Sequence, residues 1–184
     1  MTPLQKLLIF LLSLFLISFV SITAGSPQLF FILFLILLDK TILSKYEILW
    51  YVGVELLTLP IMLAGIHFGP IYGFLTGFIV IKIFDIVRLA LFPPVTQQLI
   101  PGIPTLGSLI LGIVGLLAGI FANVNFLMLV LVLNIIKNVL FVIKEIVVGR
   151  VPYISANLIN IPFNYILAKI LLDYHVFALF GFNL

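Results

Sequence analysis

The sequence predicts an all-α integral membrane protein, a single domain of six to seven transmembrane helices spanning residues 1–184. Three observations carry this. Of the 184 residues, 64% are hydrophobic and only 8% charged, where a soluble domain has about 25% charged residues. Mean hydropathy is +1.42. The apolar residues fall in continuous runs such as Leu106–Ala122 and Phe126–Ile136, whereas the strands of a membrane barrel alternate in polarity over about ten residues. Nine basic and six acidic side chains cannot cover a water-facing surface. A soluble enzyme, a nucleic-acid binder and a disordered scaffold are therefore excluded. The absence of cysteine excludes disulfides, thiolate chemistry and Cys-ligated metals.

A membrane span needs about 20 apolar residues. The apolar runs predict helices over residues 5–24, 28–43, 46–67, 70–92, 104–122, 125–148 and 154–178. The breaks are Gly25-Ser26-Pro27, Ser44-Lys45, Gly69-Pro70, the stretch from Pro93-Pro94 to Pro104, Asn123-Val124-Asn125, and Gly149 to Pro152. Each carries Pro, Gly, Asn or Ser turn chemistry that ends a helix or cannot continue one. The second run closes on Asp39-Lys40 and is short enough to be a shortened or re-entrant piece, which leaves six or seven spans. The first run has no small-residue cleavage site followed by a polar segment, so it reads as a retained helix.

Lys6, Lys40, Lys45, Arg88, Lys144 and Arg150 fall at alternate ends of these runs, and the turns at 25–27, 68–70 and 123–125 hold no Lys or Arg. The positive-inside rule then puts the amino terminus in the cytoplasm. Trp50 and Tyr51 are expected at an interface.

Gly65, Gly69, Gly73 and Gly77 recur every fourth residue, and Gly112, Gly115 and Gly119 repeat the pattern in the fifth run. Small residues at this spacing let helix backbones approach closely. Gly69-Pro70 also reads as a backbone break beside a cavity.

Polar residues cluster on three faces. Lys82, Asp85 and Arg88 share a face of the fourth run, as an ion-pair ladder or a cavity wall. Asn134, Lys137 and Asn138 share one of the sixth. Asn157, Asn160 and Asn164 mark the seventh, with Lys169 and Asp173 beyond. Amides in lipid must hydrogen-bond another helix, a ligand or water, and two Asn-rich helices with a mid-span Lys137 predict a lined cavity. Glu55 is a lone mid-span acid that could balance Lys137 or Lys82. His67 and His175 lie far apart near helix ends, and no metal-ligand spacing, nucleophile elbow or Walker motif is present.

The run Leu63-Ala-Gly65-Ile-His67-Phe-Gly69-Pro70-Ile-Tyr-Gly73-Phe-Leu-Thr-Gly77, with Asp85 eight residues on, resembles the substrate-binding S components of energy-coupling factor (ECF) transporters. Those proteins carry a similar small-x-x-x-Gly-Pro-x-x-Gly-x-x-x-Gly run followed by Asp. Their later helices are similar to the Asn-rich segment from Asn157 to Asn164. The resemblance implies capture of a vitamin-like small solute from the outside, with a membrane T component and ATPase subunits as partners in the cell membrane. By analogy it points at Asn134, Lys137, Asn164 and Lys169. The candidate solute-binding set is Lys82, Asp85, Asn134, Lys137, Asn138, Asn160, Asn164 and Lys169, in an outward-facing cavity walled by the fourth, sixth and seventh helices. The Lys residues are expected to hold an anionic or carbonyl group and the Asn residues to supply hydrogen bonds. No catalytic residue, cofactor, metal or nucleic-acid partner is expected.

A second resemblance, to rod-shape-determining membrane proteins of the MreD type, implies a scaffold without a ligand. A small lipid-modifying enzyme would need converging acids or His at a membrane surface, for which only Asp39, Glu47 and Asp173 are available.

Overall fold

A computed structural model describes residues 2–43, 52–92, 103–152 and 154–184. Every regular element among them is helical. Helix α1 (Pro3–Thr23) starts at a reciprocal cap in which Gln5 N–H donates to Thr2 Oγ1 and Thr2 N–H donates to Gln5 Oε1. Helix α2 (Pro27–Leu38) is capped by Ser26 and has Pro27 in its first turn, where the missing N–H costs nothing. It runs without a break into a π turn, Asp39–Leu43. Helix α3 is Thr58–Phe68. Gly69 (φ 102°) then turns the chain into α4 (Pro70–Leu75), a conformation open to glycine and strained for other residues. A π turn at Thr76–Val80 carries α4 straight into α5 (Ile81–Leu91). Helices α6 (Leu106–Ile120), α7 (Phe126–Val147) and α8 (Ile154–Asp173) follow, with a final turn, α9 (Val176–Leu179).

The expected runs thus correspond to helices, with two differences. The third run was expected from residue 46, but residues 52–57 are not helical and α3 begins at Thr58. Pro60 explains the start. Its ring is tolerated in a first turn but collides with the carbonyl four residues back when a helix continues upstream. The seventh run ends at Asp173 rather than 178, because His175 takes a left-handed conformation (φ 56°). The expectations for Ser44-Lys45, Glu47, Trp50, Tyr51 and the stretch from Pro93 to Gly102 lie outside the described residues.

Helix α3 is the axis of the core. Thr58 through Gly65 are all buried, and α2, α4 and α6 pack around them. The glycines make this possible. A Cβ on Gly65 would lie 2.2 Å from the Gly115 carbonyl oxygen, and one on Gly115 would lie 2.2 Å from that of Gly73. Helices α3, α4 and α6 therefore touch backbone to backbone, so the periodic glycines serve packing except Gly69, which meets no neighbouring atom and serves the turn.

The outer surface is apolar. Leu4, Leu8, Phe15 and Ile22 of α1, Ile83 and Ile86 of α5, Ile143 and Ile146 of α7, and Leu158 and Ile166 of α8 are all exposed. Hydroxyls on this surface turn back onto their own helix, as Ser13 does to the Ile9 carbonyl at 2.9 Å and Thr23 to that of Phe19 at 2.9 Å. Continuous apolar exposure on this scale needs lipid rather than water. Among the described residues, α1, α7 and α8 are long and apolar enough to cross a membrane. The protein is an all-helical, membrane-associated protein.

Candidate functional site

The site is built around a lysine. Lys137 sits near the midpoint of α7 and is 2% exposed. An isolated charge at such a depth costs several kcal/mol, and three neighbours from two other parts of the chain offset it. Its ammonium donates to Glu55 Oε1, to Thr58 Oγ1 at 2.7 Å and to Asn160 Oδ1 at 2.5 Å. Thr58 in turn donates to Glu55 Oε1 at 2.7 Å. An ammonium has three protons, and all three are used.

Glu55 lies in the non-helical stretch 52–57, whose backbone would otherwise be starved of partners beside apolar helices. Side chains from elsewhere supply them. Asn160 Nδ2 donates to the Gly53 carbonyl at 2.9 Å, and Leu56 N–H donates to Asp39 Oδ1 at 2.7 Å. Gly53 permits the contact: it has φ 87°, and a Cβ there would lie 2.1 Å from the Ala156 carbonyl oxygen. Because Thr58 bonds Lys137, α3 is a half-helix that begins level with the middle of α7. Irregular backbone at membrane depth survives only when buried in protein or lining a polar cavity. Both conditions apply here.

The amides of α7 and α8 mostly turn back onto their own helices, and one bond, from Asn138 to Asn160, links the two. Asn138 Nδ2 donates to the Asn134 carbonyl at 2.8 Å and to Asn160 Oδ1 at 3.3 Å. Asn134 and Asn164 donate to the Val130 and Asn160 carbonyls at 2.8 and 3.1 Å. Their Oδ1 atoms are buried and accept nothing.

A cavity of about 120 Å³ adjoins this network. Gly53, Glu55, Lys137, Asn138, Asn157 and Asn160 line its inner part, and Lys144 and Glu145 lie toward the end of α7. Lys144 and Glu145 pair with each other at 2.6 Å. The cavity thus lies toward the end of the bundle that carries Lys144 and Arg150. The opposite end is packed with rings: Phe31 lies 4.6 Å from Phe180 and 6.1 Å from Phe177, and Phe182 lies 6.1 Å from Phe177, centroid to centroid.

The structure brings together Asn134, Lys137, Asn138, Asn160 and Asn164 of the expected set. Lys82 and Asp85 stand apart in a second cluster, where Asp85 takes Lys40 on Oδ1 at 2.7 Å and Lys82 on Oδ2 at 2.8 Å. The π turn after α2 carries both links, with Lys40 directed at Asp85 and Asp39 at Leu56. Lys169 pairs with Asp173 at 2.9 Å, both about half exposed, away from the cavity. The fourth run therefore does not wall this cavity; the stretch 53–55 does. Sequence reasoning left Glu55 between two lysines and missed Gly53 and Thr58. The available signal was Pro60, which starts a helix two residues before it and leaves Glu55 upstream on irregular backbone.

Comparison with protein-family models, with curated proteins and with solved structures finds no match to this chain.

Proposed function

We propose that the protein is a membrane-embedded solute-capture subunit of the ECF S-component type, with six helical spans and the half-helix α3 as an incomplete seventh. It holds a vitamin-like or smaller micronutrient in the cavity beside Glu55, Asn138 and Asn157. The observation that carries this reading is the irregular backbone of residues 52–57, packed beside the buried Lys137 at the start of α3. Residues 52–57 give up helical hydrogen bonds; Asn160 and Asp39 are spent on satisfying their backbone, and Lys137 on the Glu55 carboxylate. Membrane transport proteins use broken helices of this kind to put polar groups beside a bound solute, and polar residues at membrane depth are expensive enough to mark function.

The positive-inside rule assigns the Lys144–Arg150 end to the cytoplasm and the aromatic-packed end to the outside of the cell membrane. In that orientation the cavity belongs to a form closed outward, and capture from outside requires the Phe31–Phe177–Phe182 packing to open. A T component and ATPase subunits would supply the driving force. Native mass spectrometry of protein extracted gently from its own membranes tests the reading. It expects one small molecule per chain.

A second reading, the ligand-free scaffold, draws on the complete internal pairing of Lys137. A bare chain mass together with bound cell-wall assembly proteins would favour it.

A further inference from the structure

The second polar cluster, around Asp85, gathers cations without matching acids, and the solute cavity has no part in it. Asp85 has both carboxylate oxygens taken, Oδ1 by Lys40 at 2.7 Å and Oδ2 by Lys82 at 2.8 Å. Arg88 lies one turn further along the same face, in the last turn of α5, and finds no carboxylate there. Lys6, in the first turn of α1, sets its ammonium 5.0 Å from the centre of the Phe92 ring, one turn beyond Arg88. That contact brings the start of α1 to the end of α5, two helices that pack on each other.

Among the described residues, neither Lys6 nor Arg88 has an acidic partner. Asp39, next to Lys40, turns to the Leu56 N–H. Even with Asp39 included, the four cations Lys6, Lys40, Lys82 and Arg88 meet two carboxylates. The lysines elsewhere among the described residues are matched one to one: Lys137 by Glu55, Lys144 by Glu145 and Lys169 by Asp173. Arg150 stands on the exposed turn after α7. The excess of charge is therefore local to the end of α5 and the start of α1.

Position and chemistry select what neutralises it. Helix α1 is of membrane-spanning length, so its first turn lies at a membrane boundary. Leu4 and Leu7 of α1 and Ile83 and Ile86 of α5 are exposed, so lipid-facing side chains flank the cluster. Lys6 and Arg88 are only half-buried, and long basic side chains at such a level keep their charged heads at the interface. A guanidinium takes two phosphate oxygens in one plane, and an ammonium beside it adds a point charge. The positive-inside rule assigns this end to the cytoplasm, where anionic headgroups are drawn to basic clusters between helices.

We propose that Lys6 and Arg88, together with the excess charge of the Lys40–Asp85–Lys82 cluster, bind the phosphate of an anionic phospholipid in the leaflet at this end. A zwitterionic headgroup is not retained, because it brings a cation of its own to a place already in cationic excess.

Three titrations of the intact protein in a neutral detergent test this, with binding read from the shift in Tm: short-chain phosphatidylglycerol, phosphatidylcholine with the same chains, and inorganic phosphate. Phosphatidylglycerol is expected to raise Tm at concentrations where the other two do not. Arg88→Gln and Lys6→Gln are each expected to weaken its apparent affinity about fivefold, the equivalent of one cation at an anionic surface. Each variant reads the site separately, so a loss of fold in one leaves the other to decide. Arg150→Gln removes the same charge from the exposed turn after α7 and is expected to change nothing. An equal shift from phosphatidylcholine, or an equal weakening by Arg150→Gln, overturns the site. Inorganic phosphate that shifts Tm as far as phosphatidylglycerol overturns the lipid as the source of the phosphate, and no shift from any of the three overturns the proposal.

Discussion

The ammonium of Lys137 and the carboxylate of Glu55, 82 residues apart in the chain, meet beside the first residue of a half-helix. Neither group is tolerable alone at that depth. Together with Thr58 and Asn160 they convert an interrupted backbone into a stable floor for the cavity.

Removing either partner strands the other. Lys137→Met is expected to destabilise the protein by about 3–5 kcal/mol, the cost of leaving one member of a buried pair uncompensated. Glu55→Gln should cost less, because an amide still accepts from Lys137 and Thr58. The double variant Lys137→Met/Glu55→Leu should be more stable than Lys137→Met alone. Thermal unfolding in detergent measures all three, and an additive double variant would show that the pair is not coupled.

The backbone contact of α3, α4 and α6 leaves no room for a side chain. Gly115→Ala sets a methyl group against the Gly73 carbonyl and is expected to cost about 1–3 kcal/mol, as overpacking does. Gly25→Ala meets no neighbouring atom within 4 Å, so only its positive φ is penalised and its loss should be smaller. Equal losses of Tm for the two would remove close packing as the role of Gly115.

Asp39 acts as a remote partner for the irregular backbone before α3. Asp39→Ala takes away the acceptor of the Leu56 N–H, and a buried group left unpaired costs about 1–3 kcal/mol. Asp39→Asn keeps an acceptor oxygen and should retain most of the stability. Hydrogen exchange at Leu56 is expected to accelerate in Asp39→Ala and stay slow in Asp39→Asn; unchanged exchange in both would separate Asp39 from the backbone it faces.

Orientation can be read directly, because the chain has no cysteine of its own. Val151→Cys at the basic end and Val124→Cys at the neutral end both occupy exposed positions. In intact cells, a membrane-impermeant thiol reagent is expected to label position 124 and spare position 151 until the membrane is opened. The reverse pattern would invert the protein in the membrane.

Most of the architecture was legible along the chain, since hydrophobic length and turn residues act locally. Seven apolar runs, their Gly-Pro and Asn breaks and the glycine periodicity all follow from local chemistry, and each marks a helix, an end or a contact. The polar clusters were legible as residue types on a helical face, because an Asn or Lys inside an apolar run is conspicuous wherever the run goes. Their partners were not. Whether Glu55 meets Lys137 or Lys82 depends on which helices pack, and Thr58 and Asn160 gather at the Lys137 ammonium rather than at Lys82. Asp85 shows the same limit: its own helix offers Lys82, but Lys40 arrives through the π turn after α2. The start of α3 lies between the two cases. Pro60 announces it locally, yet the irregular backbone before it persists only because Asn160 and Asp39, remote in sequence, complete its hydrogen bonds. Composition and periodicity made this chain a helical membrane protein; the pairing of buried polar groups, a property of three-dimensional neighbours, was decided by the tertiary structure alone.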